Sequence, residues 1–350
     1  MNFASDNWAG AHPLISQRLL EASTGFAAAY GASELDRQIE QRFNELFERE
    51  VAVYFVSTGT AANSLALAAV NRPGGVSFCH REAHMLEDEC GAPEFFTHGA
   101  RLAPVDGDHG KIDPQHLQAE IQRFPPDFVH AGQPMAVSIT QATEIGTLYQ
   151  LDEISAIAEV ARKHNVPLHM DGARFANALV ALDLTPAEMT WKRGVDIVSF
   201  GATKNGCWCA EALVFMDPKM GRDLPFIRKR AAQLFSKSRF IACQFEAYLQ
   251  DDLWLQLARH ANAMAGRLAA GISQSTQARL AWQPHANEVF AIMDKARSEL
   301  LREQGAVFYP WNPPRANPNL LQPHEVLLRL VTSFATETPQ VDRFIELLES

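Results

Sequence analysis

Residues 195–206 read Val-Asp-Ile-Val-Ser-Phe-Gly-Ala-Thr-Lys-Asn-Gly, a short apolar strand followed by small residues and one lysine. Lys204 therefore lies just past the carboxyl end of a buried strand, the edge of an open α/β sheet where ligands bind. A lysine that forms a Schiff base needs little bulk nearby and a desolvated amine. An ordinary turn lysine is the alternative, and the local sequence leaves both interpretations open.

A second strand end, upstream of this one, carries a carboxylate. Residues 167–174 read Pro-Leu-His-Met-Asp-Gly-Ala-Arg, so Asp171 ends an apolar run and small residues follow it. A carboxylate there can pair with a pyridinium nitrogen and keep the ring protonated, which lets the ring accept the electrons of a carbanion. The alternative role for Asp171 is the N-cap of the next helix.

A third segment predicts a phosphate site. Residues 58–63 read Thr-Gly-Thr-Ala-Ala-Asn, between a β-rich run and an Ala/Leu-rich helix. Gly59 lets backbone N–H groups approach an anion, Thr60 adds a hydroxyl, and the helix N-terminus adds a positive dipole end. A capped helix start is the alternative, and the segment is not a GxxxxGK[ST] loop. Together with Lys204 and Asp171, it predicts pyridoxal 5′-phosphate (PLP) as cofactor.

The order of elements predicts the fold class. Short apolar strands alternate with longer helices over the first two thirds of the chain, which is typical of a mostly parallel α/β sheet. We therefore expect a large α/β domain followed by a smaller C-terminal α/β domain. The pattern also predicts a helix opening at His84–Cys90, one long helix over residues 242–271 and a loop at Pro310–Pro318. The expected divisions are an N-terminal segment at 1–15, the large domain at 16–245 and the small domain at 246–350.

Composition limits the class of partner and the compartment. The chain has 350 residues, is 47% hydrophobic and carries a net charge of −10, which does not favour nucleic acid or an anionic membrane. The odd count of five cysteines, irregularly spaced, argues against a disulfide framework. The start lacks a basic region followed by an apolar run, and no apolar stretch reaches about 18 residues. We therefore expect a cytoplasmic protein.

A metal site is not expected. Cys79, His80, His84 and Cys90 could be drawn as zinc ligands, but the order His-Arg-Glu-Ala-His is not H-E-x-x-H. No second Cys/His pair has ligand spacing. The lone C-x-C at 207–209 favours packing over redox chemistry.

The three segments together resemble the L-threonine aldolase family, PLP lyases with the aspartate aminotransferase fold. The resemblance covers the large domain almost wholly and the C-terminal domain weakly. The family resemblance implies that the expected α/β architecture is that of a PLP-dependent transferase of fold type I. It also implies retro-aldol cleavage of L-threonine, L-allo-threonine and related β-hydroxy-α-amino acids to glycine plus an aldehyde. Gln141-Ala142-Thr143 departs from the Glu-Asn-Thr of many members and resembles a subgroup with a broad substrate range. The matching residues are Ser5-Asp6-Asn7, Gly59–Asn63, His84 with Glu89, His169–Arg174 and Gly201–Gly206.

The resemblance implies a role for each residue at the cofactor. Lys204 would carry PLP, Asp171 would pair with the pyridine nitrogen, and Arg174 would lie near the ring hydroxyl. His84 would stack on the ring and take part in proton transfer, which makes Lys204, His84 and Asp171 the implied catalytic residues. The phosphate would be held by Gly59 and Thr60.

The resemblance also implies substrate contacts and an oligomer. Ser5 and Arg329 would hold the substrate carboxylate, and His130 would approach its hydroxyl. Arg329 stands alone in an apolar stretch, where an arginine needs a partner. The family builds each site from two subunits, so we expect a homo-oligomer, a dimer or a tetramer. Lys229 or Lys237, in a basic segment, would reach the phosphate of a neighbouring subunit.

Three rival interpretations stay open. The first is another fold-type-I PLP reaction, such as β-elimination, transamination or racemisation on a small amino acid. The second is a PLP-fold regulator without catalysis, against which Lys204 and Asp171 argue. The third is an NAD(P)-binding α/β protein, although no G-x-G-x-x-G follows a strand.

Overall fold

The structure is a computed structural model that describes residues 1–350 and contains two β-sheets. The strands, in chain order, are β1 (Ala52–Val56), β2 (Gly75–His80), β3 (Arg101–Val105), β4 (Gln133–Thr140), β5 (Leu168–Gly172), β6 (Ile197–Gly201), β7 (Glu211–Phe215), β8 (Ala278–Leu280), β9 (Glu288–Asp294), β10 (Tyr309–Trp311) and β11 (Glu325–Val331). The helices are α1 (Pro13–Ala22), α2 (Glu34–Leu46), α3 (Gly59–Ala69), α4 (His84–Glu87), α5 (Ala92–Phe96), α6 (Pro114–Gln122), α7 (Leu151–Lys163), α8 (Phe175–Leu182), α9 (Pro186–Met189), α10 (Leu224–Arg230), α11 (Arg239–Leu249), α12 (Leu253–Gln274), α13 (Lys295–Glu303) and α14 (Thr338–Glu349).

The large sheet has seven strands in the order β1-β7-β6-β5-β4-β2-β3. Strand β7 runs antiparallel to both of its neighbours, and the other pairs are parallel. This confirms the predicted mostly parallel α/β sheet. The carboxyl ends of β1, β2, β4, β5 and β6 therefore meet at one edge, together with the first residue of β7.

Burial on both faces explains why these strands are so apolar. Every residue of β2, β5, β6 and β7 is buried, as expected for a sheet with helices on both sides. Aromatic rings fill one of the two layers. Phe43 of α2 lies 5.2 Å from Phe200 of β6 and 5.5 Å from Phe245 of α11, measured between ring centroids. This packing fixes the strand ends that carry the polar residues.

The small sheet is antiparallel, in the order β10-β11-β9-β8. The start of the chain packs against it, because Phe3 is buried in its core and the Phe3 N–H donates to the Val307 carbonyl at 2.8 Å. Helix α12 serves both domains: Trp254 lies in the core of the large domain and Leu268 in the core of the small one. The predicted domain boundary near residue 245 lies before the point within α12 where the helix passes from the core of the large domain to that of the small one. None of the helices is long and apolar enough to cross a bilayer.

The single helix predicted over 242–271 was wrong. Two helices, α11 and α12, meet at Asp251 and Asp252, whose φ values of 50° and 56° are left-handed. Aspartate tolerates that region better than most residues, so the break has a local signal that the apolar periodicity hid.

The structure also differs from the sequence predictions at three short segments. The helix expected over His84–Cys90 ends at Glu87, and Cys90 has a left-handed φ of 53°. Helix α1 begins within the N-terminal segment expected at 1–15, and Pro13 is its first residue, where the missing N–H costs nothing. The loop at Pro310–Pro318 overlaps strand β10, where Pro310 is tolerated because β10 is an edge strand.

Candidate active site

A cavity of about 240 Å³ opens at the edge where the strand ends meet. It receives residues that follow β1, β2, β4 and β6, residues at the end of β5, and the first residue of β7. Five residues predicted from the sequence lie in it together: Gly59, Thr60, His84, Asp171 and Lys204. The other lining residues are Asn7, Ser57, Thr58, Asn63, Glu89, Glu144, Ala173, Thr203 and Glu211.

One end of the cavity is built to hold an anion. Helix α3 starts at Gly59, and the Thr58 side chain caps it by accepting from the Ala61 N–H at 3.1 Å. The N–H groups of Gly59 and Thr60 open the helix, where no preceding turn can accept from them. These donors and the helix dipole fit a phosphate group. The side-chain oxygen of Gln233 accepts two hydrogen bonds from the neighbouring Ser57, one from the Ser57 N–H at 3.1 Å and one from the Ser57 hydroxyl at 3.0 Å.

A buried hydrogen-bond chain joins Asp171 to His84. Asn63 donates through one amide nitrogen to Asp171 Oδ2 and to Glu89 Oε1, both at 2.8 Å. Glu89 Oε1 also lies 3.0 Å from His84 Nδ1. The second Asp171 oxygen accepts from the Ala173 N–H at 3.1 Å. Asp171 is 3% exposed and held from two sides, so its position is fixed before any ligand arrives.

The hydrogen bond between His84 and Glu89 determines which nitrogen of His84 can exchange a proton with a ligand. The hydrogen bond that His84 Nδ1–H donates to Glu89 raises the pKa of His84 above its ordinary value, although burial opposes the shift. Burial raises the pKa of Glu89, against the effect of His84. Because Nδ1 is engaged with Glu89, Nε2 is the His84 atom free to exchange a proton.

Lys204 stands just beyond β6, on a short turn that begins with Ala202 and ends at Gly206. Gly206 has a φ of 113°, which favours glycine, and a Cβ there would meet Leu257 at 2.9 Å. Lys204 forms no ion pair, and small residues precede it, so its amine can reach into the cavity. These residues fit PLP: backbone donors for the phosphate, a buried carboxylate for the ring nitrogen and a lysine to hold the cofactor.

Arg174 lies beside the cavity and is fully engaged by acidic residues. Its Nε and a terminal nitrogen donate to the two Asp6 oxygens at 2.8 and 3.1 Å. Another terminal nitrogen is 3.4 Å from Glu288 Oε2. Burial alone would lower the pKa of Arg174, but Asp6 and Glu288 raise it above its ordinary range. The predicted contact between Arg174 and the ring hydroxyl stays a prediction, since Arg174 does not line the cavity.

Ser5 and Arg329 lie outside the cavity lining, near the junction of the two domains. The Ser5 hydroxyl accepts from the Asn7 N–H at 3.1 Å, and Asn7 lines the cavity. The Arg329 guanidinium carbon sits 4.2 Å from the centroid of Trp311, and its Nε is buried without a partner. The same face of β11 packs against Ile145 of the large domain. An arginine with an unpartnered donor at this junction remains available for an anion.

His130 and the two lysines lie apart from the cavity. His130 is exposed in the loop before β4, at the amino edge of the sheet. The eight residues of β4 separate it from the carboxyl edge by roughly 25 Å. Lys229 and Lys237 are exposed, and Lys229 lies 5.3 Å from the centroid of the Tyr30 ring. Within one chain, none of the three reaches the site.

Several cavity residues escaped the sequence prediction. Asn63 and Glu89 belonged to the matching motifs but received no role. Glu211 had a local signal, because it is a charged residue that opens an otherwise apolar strand. Two residues beside the cavity that hold Arg174 were missed as well. Asp6 belonged to a matching motif but received no role, and Glu288 had no local signal, since Arg174 is distant from it in sequence.

His80, one of the four side chains that could be drawn as zinc ligands, is engaged by hydrogen bonds to the backbone. His80 turns away from His84, with Nε2 3.1 Å from the Gly107 carbonyl and Nδ1 accepting from the Glu82 N–H at 3.1 Å. No three ligating side chains converge elsewhere in the chain.

Comparison with known proteins agrees with this geometry. A model of the beta-eliminating lyase family matches residues 2–296. A low specificity L-threonine aldolase from Pseudomonas aeruginosa is 41% identical over 307 residues, 88% of each chain. Another from Pseudomonas sp. is 40% identical, with the same coverage. The solved structure of Leishmania major threonine aldolase superposes with a TM-score of 0.91 at 29% identity, covering 99% of this chain and 98% of that one.

The fold and the cavity define a PLP-dependent enzyme with the aspartate aminotransferase fold. The chain belongs to the beta-eliminating lyase family, among the relatives of low-specificity L-threonine aldolases.

Proposed function

We propose that the protein cleaves L-threonine, L-allo-threonine and related β-hydroxy-α-amino acids to glycine and an aldehyde. The observation that carries the proposal is the convergence of Lys204, Asp171 and His84 on one cavity. The relatives named for threonine cleavage set the substrate class.

PLP, when bound, supplies the electron sink for the carbanion left when the Cα–Cβ bond breaks. Lys204 would hold the cofactor and yield it to the substrate amine. Asp171, fixed by Asn63 and the Ala173 N–H, would keep the proton on the ring nitrogen. The phosphate would rest on the N–H groups of Gly59 and Thr60.

Retro-aldol cleavage needs a base for the β-hydroxyl proton, and we assign it to His84. Its Nδ1 is engaged by Glu89, so Nε2 would take the proton, directly or through water. Glu89 orients the ring and stabilises the charge that His84 acquires.

We assign the substrate carboxylate to Arg329 and Ser5. A guanidinium offers two parallel donors that match a carboxylate, and the Arg329 Nε lacks a partner. The face of β11 that carries Arg329 packs towards the large domain through Ile145, which is the direction that this role requires. Arg174 would support this region by holding Asp6.

We propose that the active enzyme is a homo-oligomer, a dimer or a tetramer. The phosphate end of the cavity contains only neutral donors from its own chain, while Lys229 and Lys237 are exposed elsewhere. A neighbouring subunit could supply that charge, and His130 could reach a neighbouring substrate by the same route. Light scattering of the active enzyme should give at least a dimer, and a fully active monomer would contradict this part.

We also place the enzyme in the cytoplasm. All five cysteines are unpaired. Reducing compartments keep thiols in that state.

The test is an absorbance and product assay on purified protein supplied with PLP. We expect a visible absorbance band from the bound cofactor, and stoichiometric glycine and acetaldehyde from L-threonine. Ammonia with a keto acid would indicate β-elimination instead, an amino-group acceptor requirement would indicate transamination, and D-threonine would indicate racemisation. Failure to acquire the band with PLP would overturn the proposal at its root.

A further inference from the structure

Glu211 is a buried carboxyl at the cofactor cavity for which the proposed reaction has no use. It is the first residue of β7, whose antiparallel direction brings its start to the edge where the parallel strands end. It pairs in register with Gly201, three residues before Lys204. The side chain is 7% exposed and lines the cavity together with Thr203 and Lys204.

The surroundings of Glu211 differ from those of the other buried carboxyls in the cavity. Asp171 and Glu89 each accept from the Asn63 side chain and from a second donor. Glu211 forms no ion pair, and its backbone donor, the Thr203 N–H, is 3.4 Å away. Burial raises the pKa of Glu211 to about 7, although Thr203 and Lys204 lower it. This carboxyl can therefore hold or release a proton near neutral pH.

We infer that Glu211 is the proton partner of Lys204, taking a proton from Nζ before the amine attacks and returning it afterwards. The inference rests on the proposed cofactor site. In the forward step, an N–H bond of Lys204 breaks, its electron pair stays on Nζ, and an O–H bond forms on Glu211. The step moves one proton and leaves both groups neutral. Two neutral groups are favoured over two charges where little water is present.

None of the groups packed directly against Glu211 competes for this role. His84 also lies near Lys204 and has a raised pKa, but its Nδ1 is engaged with Glu89. Lys204 and Asp171 face it from the cavity, and Asp171 is already held by two donors. Behind it lie Cys207 and Tyr248, and burial raises the pKa of both well above their ordinary values. Burial also raises the pKa of the nearby Cys209. A transition near neutral pH on this side of Lys204 therefore belongs to Glu211.

The experiment compares wild type, Glu211→Gln and a control, Glu40→Gln. Glu40 is a half-buried carboxyl on α2 whose pKa is also raised by burial, but it lies outside the cavity. Each holoenzyme is titrated with pH while the visible absorbance of the bound cofactor is recorded. Wild type and Glu40→Gln should show a transition near neutral pH, and Glu211→Gln should lose it.

A second measurement follows the growth of the visible band after each apoprotein is mixed with PLP. Without a proton acceptor for Lys204, Glu211→Gln should form the band about 100-fold more slowly, the usual scale of general acid–base assistance. A wild-type rate and an unchanged titration in Glu211→Gln would overturn the inference.

Glu211→Asp covers the case in which Glu211→Gln cannot retain PLP. The aspartate keeps an acid but moves it away from Lys204, so we expect a shifted transition and an intermediate rate. A wild-type rate with no transition in Glu211→Asp would contradict the inference. If wild type itself forms no visible band with PLP, the proposed cofactor site fails, which is a different result from an unaffected variant.

Discussion

The site has two halves that are held in place by different means. The sheet-edge half consists of Gly59, Thr60, His84, Asp171 and Lys204, each near the carboxyl end of a strand. The junction half consists of Asp6, Arg174, Glu288 and Arg329, drawn from the N-terminal segment, the large domain and the small domain. Backbone topology positions the first half, whereas mutual charge positions Asp6, Arg174 and Glu288 in the second.

Because of this difference, we expect substitutions in the sheet-edge half to lower activity and substitutions in the junction half to lower stability. A sheet-edge side chain can be changed while β5, β6 and their neighbours stay buried and paired, so activity should fall without unfolding. In the junction half, Arg174 and Asp6 are 5% and 3% exposed, and removing Arg174 leaves the buried Asp6 carboxylate without its charged partner. Burial raises the pKa of Glu288 to about 7, although Arg174 and Arg329 lower it. At the junction, Arg174 therefore lowers the pKa of Asp6, and both arginines oppose the upward shift of the pKa of Glu288.

Lys204→Ala should have the largest effect, because no other lysine of the same chain lines the cavity. We expect a loss of turnover on the order of 10⁴-fold or more and no borohydride-reducible linkage to PLP, with an unchanged circular dichroism spectrum. Lys192→Ala, an exposed lysine paired with Glu48, is the matched control. Labelling that persists in Lys204→Ala would place the cofactor on a different lysine.

Asp171→Asn should come next. The amide keeps the shape and the contact with Asn63 but cannot stabilise the ring proton, so kcat should fall on the order of 10³-fold while PLP still binds. Kinetics and the visible spectrum of the same sample measure both. Near-normal turnover would remove Asp171 from its assigned role.

Arg174→Met should lower the stability of the fold, unlike the substitutions at the sheet edge, which should lower activity. Deleting one partner of a buried ion pair costs about 3–5 kcal/mol in the free energy of unfolding. Urea denaturation measures this. The double variant Asp6→Asn/Arg174→Met should recover part of the loss, because the nearer of the two acids that contact Arg174 no longer carries a charge without its partner. Equal stability of wild type and Arg174→Met would show that the junction is not held by charge.

Arg329→Lys should have a moderate effect confined to substrate. A lysine cannot reproduce the two parallel donors, so the KM for L-threonine should rise about tenfold while the visible band is retained. Arg343→Lys, on the exposed face of α14, is the control. If Arg329→Lys binds glycine as tightly as wild type, another arginine anchors the carboxylate.

Glu89→Gln should give the smallest change, a displacement along the pH axis. The hydrogen bond donated to Glu89 raises the pKa of His84. Because a base works only when unprotonated, activity should fall as pH drops through that raised value. Without the carboxylate the pKa of His84 falls, and the acid limb of kcat/KM should move to lower pH. A limb that stays in place would show that it reports a group other than His84.

The sheet-edge half was accessible from the sequence because each residue follows a short apolar strand, and parallel strands end at one edge. The five residues predicted there do share one cavity. Arg329 was accessible for a different reason, since a lone arginine between leucines on a strand must face away from both. Leu328 and Leu330 lie in the core of the small domain, and Arg329 faces Trp311.

The sequence by itself determined the fold class, the cofactor and the family, because strand periodicity and two short motifs are local features. Only the tertiary structure decided that Asp6 and Glu288 hold Arg174, that Asn63 links Asp171 to Glu89, and that Glu211 faces the cavity. The physical reason is that these contacts join residues far apart in the chain. Their energies depend on burial, and burial exists only once the helices and both sheets have packed.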